Sequence, residues 1–474
     1  MKRAVAIAAK DLREAAGDGR ALLAWALAVA VLLVAALQGW ATQRQAEAER
    51  TEVSARVRAQ WETQGDKNPH AGAHFGQYVF QSAGLAAFID PGVSAEAGRA
   101  IWLDPHRRNL ARFKPAEDQS PAARLARGGV DAVLQWVLPL LVVLLGFGAV
   151  AGEREAGTWR LLASLGVTPG RLFAGKLTGL GLVLVPMLAF FGAALALAAV
   201  QEGAGGPDTL ARIALLAGLY TLYLAIFGFI ALGVSARAAS ASRSLALLLV
   251  LWGLNGFVAP RLGSAIAEAA VSLPSSEQFH AAIHHDIQHG MDQDGDADAR
   301  YQRFLAATLE KYRVSRAEDL PVGLRGLRLL DNDGYSARVH EKHFNALEDR
   351  FIAQADWQLA ASLAGPLLPV RTLSQALAGT DIRHHAHFAR AAEAYRRGFV
   401  DATSERIAQH NAGTVNTALA DNTFWKSLPP FDYQPPAWTW ALAGQWRALA
   451  LLAVWLLGAA WFAVSGFKRL AREV

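Results

Sequence analysis

Residues 21–40 read ALLAWALAVAVLLVAALQGW, an apolar run with no charge in it. At 1.5 Å per helical residue, about twenty residues cover the roughly 30 Å of a bilayer's hydrocarbon core. A secretory signal is the rival reading, but its apolar core is usually about 7–15 residues. The lead-in from Met1 to Arg20 is also long and carries Asp11, Glu14 and Asp18. Similar runs recur at 130–151, 177–200, 210–234, 245–260 and 448–467, the last with Trp446 and Arg447 placed to snorkel at an interface. With 53% hydrophobic residues over 474 positions and a mean hydropathy of +0.19, the chain is too apolar for an ordinary soluble protein. The expected fold is an all-α membrane protein: six transmembrane helices and a large, mostly helical extracytoplasmic domain built from two insertions, 41–129 and 261–447.

Basic residues near the span ends set the orientation. Lys2, Arg3, Lys10, Arg13 and Arg20 precede the first span, and Arg154, Arg160, Arg171 and Lys176 fall in 152–176. Arg237, Arg243, Lys468, Arg469 and Arg472 complete one side, whereas the short loop 201–209 has no basic residue. The long segments' flanks, with Arg44, Lys114, Arg124, Arg127, Arg261 and Lys426, lie outside the rule. Both termini, the segment 1–20 and the tail 468–474, are therefore expected in the cytoplasm. Topology accounts for the net charge of +5 without nucleic acid as a partner. The chain has no cysteine, which removes disulfides, iron–sulfur clusters, thiolate zinc sites and cysteine nucleophiles together.

Outside the spans, 44–60 is rich in helix formers and extends the first helix. Ser336–Leu363 and His387–Gln409 also read as helices, the second with an apolar stripe of Phe388, Ala392, Tyr395 and Phe399. Pro366 and Pro369 are expected to end the helix before them, and no alternation predicts strands.

The most informative polar stretch lies between the second and third spans: Gly152-Glu-Arg-Glu-Ala-Gly-Thr158, then Leu161-Leu162, Pro169 and Gly175-Lys176. It resembles the signature of ABC-2 type transporter permeases, an acidic E-x-E-x-G-T element, a short amphipathic helix and a G-K pair. Ala9-Lys-Asp-Leu-Arg-Glu14 before the first span is similar to that family's amphipathic elbow helix. Leu377-Ala-Gly-Thr-Asp381, His385, Phe388 and Glu393-Ala-Tyr-Arg-Arg397 resemble a subgroup with a large extracytoplasmic insertion of undefined function. The resemblance implies a permease subunit, most simply of an exporter, with no catalytic site or cofactor of its own. ATP and magnesium would belong to two copies of a partner ATPase. A second permease, identical or paralogous, would complete the path, and the outer domain would face an envelope partner. Residues Glu153, Arg154, Glu155, Gly157, Thr158, Trp159, Leu161 and Leu162 would then couple to the ATPase. Independently of the family, a helix with one apolar and one charged face can seat in a partner's groove or lie in the lipid interface.

Intramembrane polar residues are rare and mark substrate paths or interhelical bonds. Asp131, Gln135 and Asn255 are the candidates for a path, with Gln445 near a span end. All thirteen histidines fall outside the spans and the cytoplasmic loops. His280, His284, His285 and His289 make two i, i+4 pairs that can offer imidazoles to zinc or copper, against the simpler expectation of solvated side chains. Other matches fail on chemistry. Gly170–Lys176 fits G-x-x-x-x-G-K, but Leu177 stands where Ser or Thr must ligand magnesium. His340-Glu341-Lys342-His343 is one residue short of H-E-x-x-H. Counted from Asp292, a calcium loop would need Gly and Glu where Ala297 and Arg303 stand. Besides the permease, a mechanical transducer that moves its outer domain without transporting a solute and a histidine-rich membrane metalloprotein are the alternative functions.

Overall fold

The computed structural model describes residues 2–17, 19–82, 84–112, 129–201, 203, 205–291 and 294–470. Asp18, Lys114, Arg124, Arg127, Asp292 and Arg472 lie outside the described residues. Among those described, six helices are long and apolar enough to cross a membrane: Ala21–Glu62, Val130–Glu155, Pro169–Val200, Pro207–Ser235, Ala241–Ala270 and Trp446–Leu470. The chain is an all-α membrane protein. Its largest core runs through the bundle, with Leu134, Leu138, Val142, Tyr223, Ile226 and Leu452 all but inaccessible. Leu27, Leu37, Phe190, Leu197, Val250, Leu457 and Trp461 point outward, as side chains facing lipid do.

The helix of the first span does not stop where its apolar run ends. It continues from Gly19 to Glu62, and Arg50–Glu47, Arg56–Glu52 and Arg58–Glu62 ion pairs line the polar extension. Its far end carries Trp61, fully buried and edge-on to Phe399 and Trp425 at 5.4 and 5.5 Å. One rod therefore joins the N-terminal end of the bundle to the core of the large domain. The fifth span is likewise longer than its apolar run, because Gly263 and Ala267 remain buried beyond it.

The large domain is organised by a long helix, Leu324–Gln358, packed against a second, Ile382–Gln409. Both begin earlier than the apolar stripes suggest. At Gly326 the two backbones touch, since a Cβ there would stand 2.3 Å from Ala408 N and 2.6 Å from Ser404 O. Pro369 does not end a helix. It lies in the first turn of the helix Leu367–Ala378, where its missing N–H costs nothing. The expectation of no strands also needs correction: Gln77–Phe80 pairs antiparallel with Ala100–Leu103, Gln77 opposite Leu103. Four residues per strand give too short an alternation to stand out in sequence.

The motif Leu377–Asp381 is a structural joint. Gly379 ends the helix Leu367–Ala378 at φ +74°, and Asp381 caps the next one by accepting His384 N at 2.9 Å. Thr380 Oγ1 donates to Asp90 O at 2.8 Å, Gln445 Nε2 donates to Asp381 Oδ2 at 3.1 Å, and Arg212 of the fourth span donates to Leu377 O at 2.9 Å. Leu377–Asp381 thus fastens the domain to the bundle.

Candidate functional site at the elbow end of the bundle

The first helix, Lys2–Gly17, lies against the third span and meets the segment after the second. Two lysines and a threonine from three different elements converge on Glu153. Lys10 Nζ donates to Glu153 Oε1 at 2.7 Å, and Lys176 Nζ donates to the same oxygen at 3.1 Å. Lys176 also donates to Asp11 Oδ1 at 2.8 Å, and Thr158 Oγ1 closes the ring on Glu153 Oε2. Glu153 and Lys176 are 8% and 6% exposed, so these are buried charges, each with its partner in place. Burial raises the Asp11 carboxyl above its ordinary range, against the pull of Lys176. A cleft of about 470 Å³ opens beside this cluster, lined by Lys10, Asp11, Gly152, Thr158 and Lys176.

Backbone chemistry fixes the turn that presents these groups. Ser235 Oγ of the fourth span accepts both Val150 N and Ala151 N at 3.0 Å, while donating to Phe147 O at 2.7 Å. It satisfies the amides freed where the second span breaks. Arg154 donates to Ala236 O at 2.9 Å and to Ala238 O, satisfying carbonyls just past the end of the fourth span. Gly157, at φ +71°, turns the chain into the short helix Thr158–Ser164.

That helix has two faces. Trp159 is buried among Ile7, Val167, Leu172, Leu232 and Phe467, so it packs inside the protein and not in lipid. Leu162 packs at the edge of the same cluster. On the other side Glu155, Arg160, Leu161 and Leu165 face out, the two leucines 60% and 62% exposed. The sequence treats Glu153 and Glu155 alike; the structure separates them into an internal clamp and an outward charge.

The intramembrane candidates lie at the opposite end. Gln135 and Asn255 each sit in a π-helical turn, Val133–Val137 and Leu254–Val258, a distortion that recurs at functional positions. Gln135 donates to Tyr220 OH at 3.2 Å and Asp90 Oδ2 at 3.4 Å, and accepts from Arg371 Nε at 3.3 Å. Asn255 donates to Tyr223 OH at 2.9 Å and accepts Leu367 N at 2.9 Å. Asp131 stands near Arg371 on the same side. Tyr220, Asp90 and Arg371 are members of this network that sequence patterns did not single out. Asp90, with burial the main cause and Asp131 the next, has its pKa pushed up to about 7.

The four histidines of Ser276–His289 are all exposed. His280 Nδ1 lies 2.7 Å from Ser276 O, and the His285 and His289 rings stack at 4.7 Å. Among the described residues they do not form a group of three convergent ligands.

Residues 276–434 match the model of a domain of unknown function, DUF3526, about a third of the chain. A stretch of 125 residues is 32% identical to a protein of Pseudomonas aeruginosa named as the probable ABC transporter permease NosY, covering 26% of this chain and 46% of that one. The NosY protein of Stutzerimonas stutzeri, also named as a probable ABC transporter permease, is 41% identical over 70 residues, 14% of this chain and 25% of its own. The chain thus spans less than half the length of the curated relatives it matches, and the likeness is to membrane subunits of ABC transporters.

Proposed function

We propose that the chain is the permease subunit of an ABC-2 type ATP-driven transporter, working as an exporter in a bacterial inner membrane. The observation that carries it is the charge clamp. Lys10, Glu153, Lys176 and Asp11 tie the first helix to the bases of the second and third spans, beside an outward face of Glu155, Arg160, Leu161 and Leu165. A push on that face moves three elements together. Two ATPase copies would bind there and supply ATP and magnesium chemistry. A second permease, identical or paralogous, would pack on the apolar bundle, and the domain would meet an envelope partner. Asp131, Gln135 and Asn255 would close the path beneath the domain.

Exposed apolar anchors lose binding energy without loss of fold, and central ones are worth about 2 kcal/mol or more each. The double change Leu161→Ala, Leu165→Ala is therefore expected to weaken ATPase co-purification at least tenfold while the permease still inserts. Unchanged association would remove this face from the proposal.

Sidedness follows from labelling. Single cysteines at exposed Glu277 and Thr414 should react with an impermeant reagent in intact cells, and one at exposed Ala239 should not. Gly413 is a poor position for such a probe, because at φ +55° its Cβ would stand 2.5 Å from Glu318 O. The reverse labelling pattern would put the elbow end outside and defeat the coupling assignment.

A mechanical transducer is the second reading, favoured by the unbroken helix Gly19–Glu62 that reaches the domain core. It predicts ATP hydrolysis without accumulation of any solute in inverted vesicles.

A further inference from the structure

Three histidines far from the clamp meet in the large domain. His70 lies in the short helix Pro69–Ala73, and His74 caps its C-terminus, four residues on and on the same face. Asn68 starts that helix by accepting His70 N at 3.1 Å. His106 comes from the turn after the strand Ala100–Leu103, where Asp104 accepts its N–H at 2.9 Å and Ser336 donates to its carbonyl at 2.9 Å. One ligand atom from each histidine lies within 4.8 Å of the other two. His70 Nε2 and His74 Nε2 are 3.2 Å apart. Two nitrogens held at about 2.0–2.1 Å on one tetrahedral ion stand about 3.3 Å apart, so this spacing suits a ligand pair.

Asp333 supplies an independent observation. It is 9% exposed on the long helix, and its Oδ1 lies 2.9 Å from His106 Nδ1. Its Oδ2 is buried with no hydrogen-bond partner among the described residues. A carboxylate on Nδ1 selects the tautomer whose Nε2 lone pair is free, orients the ring and strengthens it as a ligand. Metal-binding histidines almost always donate their other ring N–H to a carboxylate, a backbone carbonyl or water.

We propose that His70, His74 and His106 bind one late divalent transition-metal ion, zinc or copper(II), with Asp333 as the orienting partner of His106. Three imidazoles suit these ions and not magnesium or calcium, which take oxygen ligands. Three protein ligands leave a fourth position for water or another donor. The ion would link the short helix to the strand turn, and through Asp333 to the long helix. The assignment is independent of the permease reading.

The test uses the full-length protein in detergent, stripped with a chelator and dialysed. Cobalt(II) titration of the wild type should give the intense visible bands of a tetrahedral site, saturating at one equivalent and displaced by zinc or copper(II). Competition between those two identifies the preferred ion. His74→Gln, an exposed change, should lower zinc affinity at least tenfold with the circular dichroism unchanged. Asp333→Asn, which keeps all three ligands, should lower it about 10–100-fold. His284→Ala with His289→Ala should leave it unaltered. Absence of the tetrahedral spectrum in the wild type overturns the proposal, as does metal lost with His284 and His289 but retained with His74→Gln.

Discussion

Glu153→Ala is expected to destabilise the elbow end by about 3–5 kcal/mol, the cost of leaving a buried charge without its partner. Lys176, 6% exposed, would keep only Asp11, and Lys10 would keep only Glu14. Thr158 would lose its side-chain acceptor on Glu153. The first helix should then loosen from the third span, seen as faster proteolysis near Lys10 and a lower Tm in detergent. Coupled ATP hydrolysis should fall with it. Glu155→Ala makes the contrast, because its side chain is exposed and forms no part of the clamp. A surface charge of that kind contributes roughly 0–1 kcal/mol to stability, so any loss of coupling there reports on the partner and not on the fold. If Glu153→Ala melts and digests like the wild type, the clamp does not hold the elbow.

That division of two neighbouring acids shows what a sequence can carry. Spans are legible because twenty apolar residues have few alternatives to a bilayer, and the polar extension 44–60 is legible from its helix formers and its charge spacing. The motif at 152–158 is legible as a motif. Which acid turns inward is not, since Lys10, Asp11 and Lys176 come from two other elements and their approach depends on how helices pack. The π-helical turns at Gln135 and Asn255 leave no pattern either, because a span that is apolar on nearly all sides has no stripe for an inserted residue to shift. Of the histidines, His280–His289 drew attention by crowding along one helix, yet they face solvent and no three of them converge. His70 and His74 show the same four-residue spacing, but their third neighbour, His106, is brought in by a strand pairing too short to predict.

Arg396→Ala should have the largest effect in the domain. Arg396 is 3% exposed, and its guanidinium makes a two-point pair with Glu393, both oxygens at 2.7 Å. It also donates to Pro105 O at 2.7 Å and Asp104 O at 3.3 Å, the residues just before His106. Removing it leaves Glu393 buried beside unpaired carbonyls, with an expected cost of about 3–5 kcal/mol. Lys at this position keeps the charge but not the planar fork, so Arg396→Lys should recover only part of the loss. The turn 104–106 would lose its anchor on the helix Ile382–Gln409, and His106 would keep its contacts to Asp104, Asp333 and Ser336. Limited proteolysis should therefore open the chain near Arg107, while the bundle, whose core is separate, keeps its helical signal. Protection near Arg107 equal to the wild type would mean that the Glu393-Ala-Tyr-Arg-Arg397 motif serves something other than this joint.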